Sequence, residues 1–280
     1  MFLERPIRLL KNRTNPISNE SRFMQELHQN RDPSSDRPTE IALEGLVVIC
    51  GNYGSGKSEV SINLAASKRS NGYTVRLADL DLVNPYFRSR EARAVLEALG
   101  IEVILPDLKY FHADLPILSR NVAGMIKGGT SLNILDVGGD DVGARVLSAL
   151  GDAFVGQPVS VLQVVNPNRP QTRTMEGVGR IRAGIEAASR LKVTGWVGNA
   201  NLIDETDVET ILEGYEFLQE LSKASGLPIA FITAPEDLRA DDALKRVDVP
   251  ILSIRRQLVP PWKPSARLGV GLKPLFSEKG

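Results

Sequence analysis

The stretch Leu46-Val47-Val48-Ile49-Cys50-Gly51-Asn52-Tyr53-Gly54-Ser55-Gly56-Lys57-Ser58 decides how the chain is read. Its first five residues form an unbroken apolar run, the pattern of a strand buried on both faces. The next eight match G-x-x-x-x-G-K-[ST] in full. Beyond them, Val60/Leu64 and Ile62/Ala66 fall four residues apart, so 57–69 reads as a helix. A strand, a glycine-rich loop and a helix in that order form an anion site. The glycines let successive backbone N–H groups converge, and the helix N-terminus adds partial positive charge. Phosphates are the ligand such a loop suits, with Lys57 bridging β- and γ-phosphates and the Ser58 hydroxyl ligating Mg²⁺. The expected nucleotide-binding residues here are Gly51, Asn52, Tyr53, Gly54, Ser55, Gly56, Lys57, Ser58 and Glu59.

Outward from this stretch, short apolar runs alternate with longer amphipathic ones. The runs are 46–50, 75–78, 103–105, 132–135, 159–165, 193–197, 229–232 and 251–254. Helical patterns occupy 57–69, 88–99, 115–125, 143–150, 172–189, 208–224 and 236–245. Such alternation predicts an α/β fold of three layers, a mostly parallel central sheet of seven or eight strands flanked by helices. After a short basic-apolar opening, residues 15–37 are rich in Asn, Ser, Asp and Arg, so 1–40 reads as a flexible N-terminal extension, 41–262 as the folded domain and 263–280 as a C-terminal tail.

Composition excludes several classes. The 280 residues hold 34 Lys+Arg and 34 Asp+Glu, so no net field draws the chain to nucleic acid or an anionic bilayer. No basic stripe with interleaved aromatics suggests a duplex-binding face. No uncharged apolar run approaches the roughly 18–20 residues of a membrane span, and Pro6 interrupts the opening segment too early for a signal peptide. Cys50 is the only cysteine, and His28 and His112 are the only histidines, which leaves no disulfide framework and too few ligands for a zinc site. A reducing, cytoplasmic setting is expected.

A phosphate loop needs a carboxylate at a neighbouring strand end to hold Mg²⁺. Asp79-Leu80-Asp81 closes the second run, and Asp136-Val137-Gly138-Gly139 closes the fourth as D-x-x-G, which places Gly139 to present its N–H to a γ-phosphate. Together these motifs resemble the MinD/ParA/CobQ-type P-loop ATPases, over about residues 44–262. The segment Asp79-Leu80-Asp81-Leu82-Val83-Asn84-Pro85-Tyr86-Phe87-Arg88 is similar to that of short CobQ/CobB/MinD/ParA nucleotide-binding domain proteins. The resemblance implies ATP and Mg²⁺ as cofactors, Asp81 as the residue that positions the attacking water, and Asp79 and Asp136 as outer-shell Mg²⁺ partners beside Ser58. It also implies a nucleotide-dependent homodimer and a partner protein that reads the bound state. The family's signature lysine after the first glycine is replaced here by Asn52, which carries no charge. Arg169 and Arg173 are alternative sources of that charge, against a plain reading as surface arginines.

The base is open to two registers. Asn199, at the end of the sixth run, matches the asparagine that meets adenine in MinD-like ATPases. Asn201-Leu202-Ile203-Asp204 resembles the guanine motif N-K-x-D with leucine for lysine, and Asn201 also reads as a helix cap. The first register favours ATP. The loop also resembles that of nickel-chaperone GTPases, but the Cys and His ligands of metal delivery, or of an iron–sulfur dimer, are missing. Three functions fit: a slow ATPase switch, an enzyme coupling ATP to a small substrate bound near Tyr86, Arg88 and Arg90, and a nucleotide-binding scaffold without turnover.

Overall fold

The structure, a computed structural model, describes residues 40–81, 89–105, 116–139, 146–258 and 268, with 89–91 and 116–120 described by their backbone alone. The N-terminal extension up to residue 39, the tail beyond 258 apart from Leu268, and Tyr86 and Arg88 lie outside that set.

Eight strands form one sheet: β1 (Gly45–Gly51), β2 (Val75–Leu80), β3 (Glu102–Ile104), β4 (Leu132–Val137), β5 (Val159–Val165), β6 (Gly195–Gly198), β7 (Ile229–Pro235) and β8 (Ile251–Ile254). The order is β3-β2-β4-β1-β5-β6-β7-β8, and every pairing is parallel. All eight expected runs are therefore strands, and the sheet is wholly parallel among the described residues. The helices are α1 (Lys57–Ser70), α2 (Ser89–Ala98), α3 (Pro116–Lys127), the short α4 (Gly151–Phe154), α5 (Met175–Ser189) and α6 (Val208–Ser225).

Alternation along β1 shows how the layers are held. Val47 and Ile49 pack with Val60, Ile62 and Leu64 of α1 and Leu96 of α2, whereas Leu46, Val48 and Cys50 face the cluster built from α3, α4, α5 and α6. Both faces of the strand are thus buried, as its unbroken apolar run requires. Burying each such Leu, Ile or Val fully contributes about 1.5–3 kcal/mol.

One expected element differs. Residues 236–245 form two 3₁₀ turns, Glu236–Leu238 and Asp242–Arg246, not an α-helix. The Asp241 carboxylate accepts the Ala243 N–H at 2.8 Å, a local bond that competes with helix continuation.

Parallel pairing brings the C-terminal ends of all strands to one edge. The connection after β1 runs to the α1 face, whereas those after β4, β5 and β6 run to the opposite face. Such a divergence opens a crevice at the strand ends beside β1.

Candidate functional site

The loop after β1 occupies that crevice. Gly51, Gly54 and Gly56 have φ of 142, 72 and 90°, a backbone that residues with side chains adopt only under strain. Gly56 caps α1 without a side-chain bond, and a helix N-terminus of this kind suits an anion. Lys57 is buried, and its Nζ donates to the Asn52 carbonyl at 3.0 Å across the loop.

Asp136 stands opposite. Its register partners are Ile49 of β1 and Asp79 of β2, which sets two carboxylates side by side on neighbouring strands. Asp136 is 1% exposed, and neither carboxyl oxygen has a hydrogen-bond partner among the described residues. Burial first, then the Asp79 charge, pushes its pKa up to about 7, against the pull of the Ser58 hydroxyl and the Lys57 ammonium; the Asp81 charge adds to the rise. Asp79 accepts the Asp81 N–H at 3.0 Å, which turns the chain as it leaves β2. Orphaned carboxyl oxygens next to a hydroxyl are the donor set that suits Mg²⁺, which takes one or two protein oxygens and fills its sphere with phosphate and water. No cage of three or more His, Cys, Asp or Glu exists among the described residues.

Gly139 packs directly on the loop. A Cβ there would lie 2.6 Å from the Tyr53 amide nitrogen and 2.7 Å from Lys57 Nζ, so only glycine fits. Tyr53 itself is 63% exposed.

Most of the other expected residues have partners of their own. Asn199 donates from Nδ2 to the Ser55 carbonyl at 2.7 Å and accepts the Thr233 hydroxyl at 2.6 Å. Its carboxamide braces the loop. Asn201 donates to the Asn199 carbonyl at 3.2 Å and accepts the Ile203 N–H at 3.3 Å, and Asp204 pairs with Arg256 at 2.8 Å. The Glu59 carboxylate accepts the Gln257 and Leu258 N–H groups at 2.7 and 3.0 Å and thereby ties α1 to the chain after β8. Asn52 donates to Gln171 Oε1 at 2.6 Å. Arg169 Nε donates to the Gly54 carbonyl at 3.1 Å, while Arg173 is exposed. Cys50, buried inside the sheet, donates to the Leu162 carbonyl, and burial lifts its pKa to about 12, so it is no thiolate ligand.

Gln171 and Thr233 were not anticipated. Nothing in their local pattern marks them; only the fold brings them within reach of Asn52 and Asn199. Among the described residues, no helix is long and apolar enough to cross a membrane.

No known family model matches the sequence, and no curated protein matches it. Among solved structures the chain is similar to the signal recognition particle receptor FtsY from Elizabethkingia anophelis, at 16% identity over 78% of this chain and 66% of that one, with a TM-score of 0.49. It is also similar to the cell division protein FtsY from Thermotoga maritima (22% identity, 77% of this chain, 69% of that one, TM-score 0.46). A third is a nucleotide-binding protein in complex with ADP from Archaeoglobus fulgidus (19% identity, 73% of this chain, 85% of that one, TM-score 0.43). The chain spans about two thirds of the length of the first of these. At these identities the similarity is one of fold, and the chemistry of the site stands on its own residues. An eight-stranded parallel sheet between helix layers, with the phosphate loop at the end of β1, is a three-layer α/β P-loop NTPase fold.

Proposed function

We propose that the chain is a Mg²⁺-dependent nucleoside triphosphatase of the MinD/ParA/CobQ type, lacking the signature lysine, that turns over slowly in the cytoplasm and serves as a conformational switch on a partner protein. The observation that carries this reading is the contact of Gly139 with Tyr53 and Lys57, three residues beyond the orphaned carboxyl of Asp136. A γ-phosphate reaching Lys57 must engage or displace that strand end, so the bound state is transmitted to the connection after β4.

Loop amides and Lys57 neutralise the phosphates, and Asp81 orients the water that attacks the γ-phosphorus in line with the departing β–γ oxygen. Ser58, with Asp79 and Asp136 behind it, would hold Mg²⁺, which when bound spreads the charge of the β- and γ-oxygens. Asn199, the adenine reader that the resemblance implies, also braces the loop through Ser55 and Thr233. ATP is the substrate to test first on the family resemblance alone.

Phosphate release and calorimetric binding test the proposal. Lys57→Ala should abolish tight nucleotide binding. Asp81→Ala should leave the dissociation constant within about threefold and slow turnover by about 10²-fold or more. Equal losses in both would remove Asp81 from the water-positioning role.

A further inference from the structure

Charge around the phosphate loop does not balance. Asp79 and Asp81 at the end of β2 both act on Asp136 of β4, and the cation that acts on it is Lys57. A nucleoside triphosphate stays negative even with Mg²⁺ bound. Held beside these carboxyl groups, it calls for a further cation.

The connection after β5 provides one. Arg169 is half-buried, and its Nε donates at 3.1 Å to the carbonyl of Gly54, in the middle of the loop. Its Nη groups bond nothing among the described residues, and no carboxylate there pairs with it. Arg173, by contrast, is exposed.

This guanidinium is placed before any ligand arrives. The Arg169 N–H donates to the Asn166 carbonyl at 3.1 Å, and the Arg169 carbonyl accepts the Thr172 N–H at 3.0 Å. The Asn166 carbonyl also accepts the Thr172 hydroxyl at 2.6 Å, and Asn166 Oδ1 accepts the Asn168 N–H at 3.0 Å. Asn166 and Thr172 are fully buried, and Pro170 follows Arg169 directly. From the same turn Gln171 holds Asn52, whose carbonyl takes Lys57 Nζ at 3.0 Å. Lys57 and Arg169 are thus tied to carbonyls of the same loop, at Asn52 and Gly54. A cation fixed in this way needs no reorganisation when negative charge grows beside it.

We propose that Arg169 supplies, from within the same chain, a second positive charge at the terminal phosphate and so separates triphosphate from diphosphate. This deepens the nucleotide reading above and rests on it. In hydrolysis, water bonds to the γ-phosphorus as the bond from that phosphorus to the β–γ oxygen breaks. The nucleoside diphosphate keeps that oxygen and its electron pair, inorganic phosphate forms, and one proton of the water passes to solvent. Arg169 enters neither bond. Its Nη donors take up the charge that gathers on the γ-oxygens and the departing oxygen.

Calorimetric titration of the full chain in Mg²⁺ tests this with two pairs, ATPγS with ADP and GTPγS with GDP, alongside phosphate release from ATP and GTP. Arg169→Gln sets an amide nitrogen where Nε stands, so it keeps a donor for Gly54 and loses the charge. It should cut the preference for triphosphate over diphosphate by about tenfold or more and slow turnover by about 10²-fold or more. Diphosphate affinity should stay within about threefold, and the melting temperature within about 2 °C. Arg169→Lys should recover part of the preference, because it restores charge without the planar fork. A brace with no electrostatic role would weaken triphosphate and diphosphate equally, or weaken neither, and either result would overturn the proposal. So would recovery of turnover on mixing Arg169→Gln with Lys57→Ala protein, since that requires Arg169 to act across two copies. If the wild type binds none of the four nucleotides, the phosphate-loop reading itself falls, a different result from binding whose triphosphate preference ignores Arg169.

Discussion

A carboxyl group buried beside a second carboxylate is held at a cost in stability, and Asp136 is buried in this way between Asp79 and the phosphate loop, its pKa pushed up to about 7. The fold gains nothing from it, which is the physical ground for proposing it as a cation's partner. Asp136→Asn keeps the shape and removes the charge. Its expected effect is a melting temperature several degrees higher in the metal-free protein, with loss of the Mg²⁺-dependent part of nucleotide affinity. Calorimetry with and without EDTA reads both. Gly139→Ala makes the opposite prediction for stability: its methyl group would meet the Tyr53 nitrogen at 2.6 Å, a backbone atom that yields little. Urea unfolding should show a loss of about 1–3 kcal/mol. Both residues were legible because short-range spacing encodes them, D-x-x-G after an apolar run. Asn199 could be singled out in the sequence but its bonding could not, since its partners Ser55 and Thr233 lie 144 and 34 positions away.

Between elements, side chains do much of the joining. In α1, Glu59 takes two backbone N–H groups from the chain after β8, and Asn63 accepts the Arg255 N–H at 2.8 Å while donating to its carbonyl at 3.3 Å, as a neighbouring strand would. Glu59→Ala leaves those amides without acceptors. It should lower stability by about 1–3 kcal/mol and speed amide exchange at Gln257 and Leu258, which deuterium exchange resolves. At the far end of α5, Glu186 accepts from Lys192 at 2.8 Å, Arg182 at 3.0 Å and the Val193 N–H at 3.1 Å, fixing the turn into β6. Burial acts to raise its pKa, but these partners outweigh burial and bring it down to about 2. A depressed carboxylate stabilises the fold fully above its unfolded pKa, about 4.3, and loses that contribution as pH falls towards 2. Melting of wild type and Glu186→Gln should therefore differ most above pH about 5 and converge near pH about 2. The strands were readable from their apolar runs because a doubly buried strand allows little else. Residues 236–245 were misread as helix because the Asp241 side chain caps the start of a separate second turn, a local bond that periodicity does not register.

For the molecule as a whole, the phosphate loop is a hub. The connection after β4 supplies Gly139, that after β5 supplies Arg169 and Gln171, that after β6 supplies Asn199, and β7 supplies Thr233 behind it. A nucleotide that reshapes the loop therefore acts on several connections within one chain, and a ligand shifts a conformation only through such differential contacts. In the resembled ATPases the lysine after the first glycine carries charge into a partner subunit. Asn52 is 5% exposed and committed to Gln171, so this position sends nothing across an interface, while the Arg169 guanidinium is bound to the loop of its own chain. The expected outcome is a response to nucleotide that stays within the monomer. Sedimentation velocity at micromolar protein, with and without Mg²⁺ and ATPγS, checks it: an unchanged mass agrees, with protection from exchange gained around 52–58, 139 and 166–172. A doubling of mass would mean that the exposed Tyr53 and its surroundings, in place of a lysine, supply the contact between copies, and Tyr53→Ser would then restore the monomer.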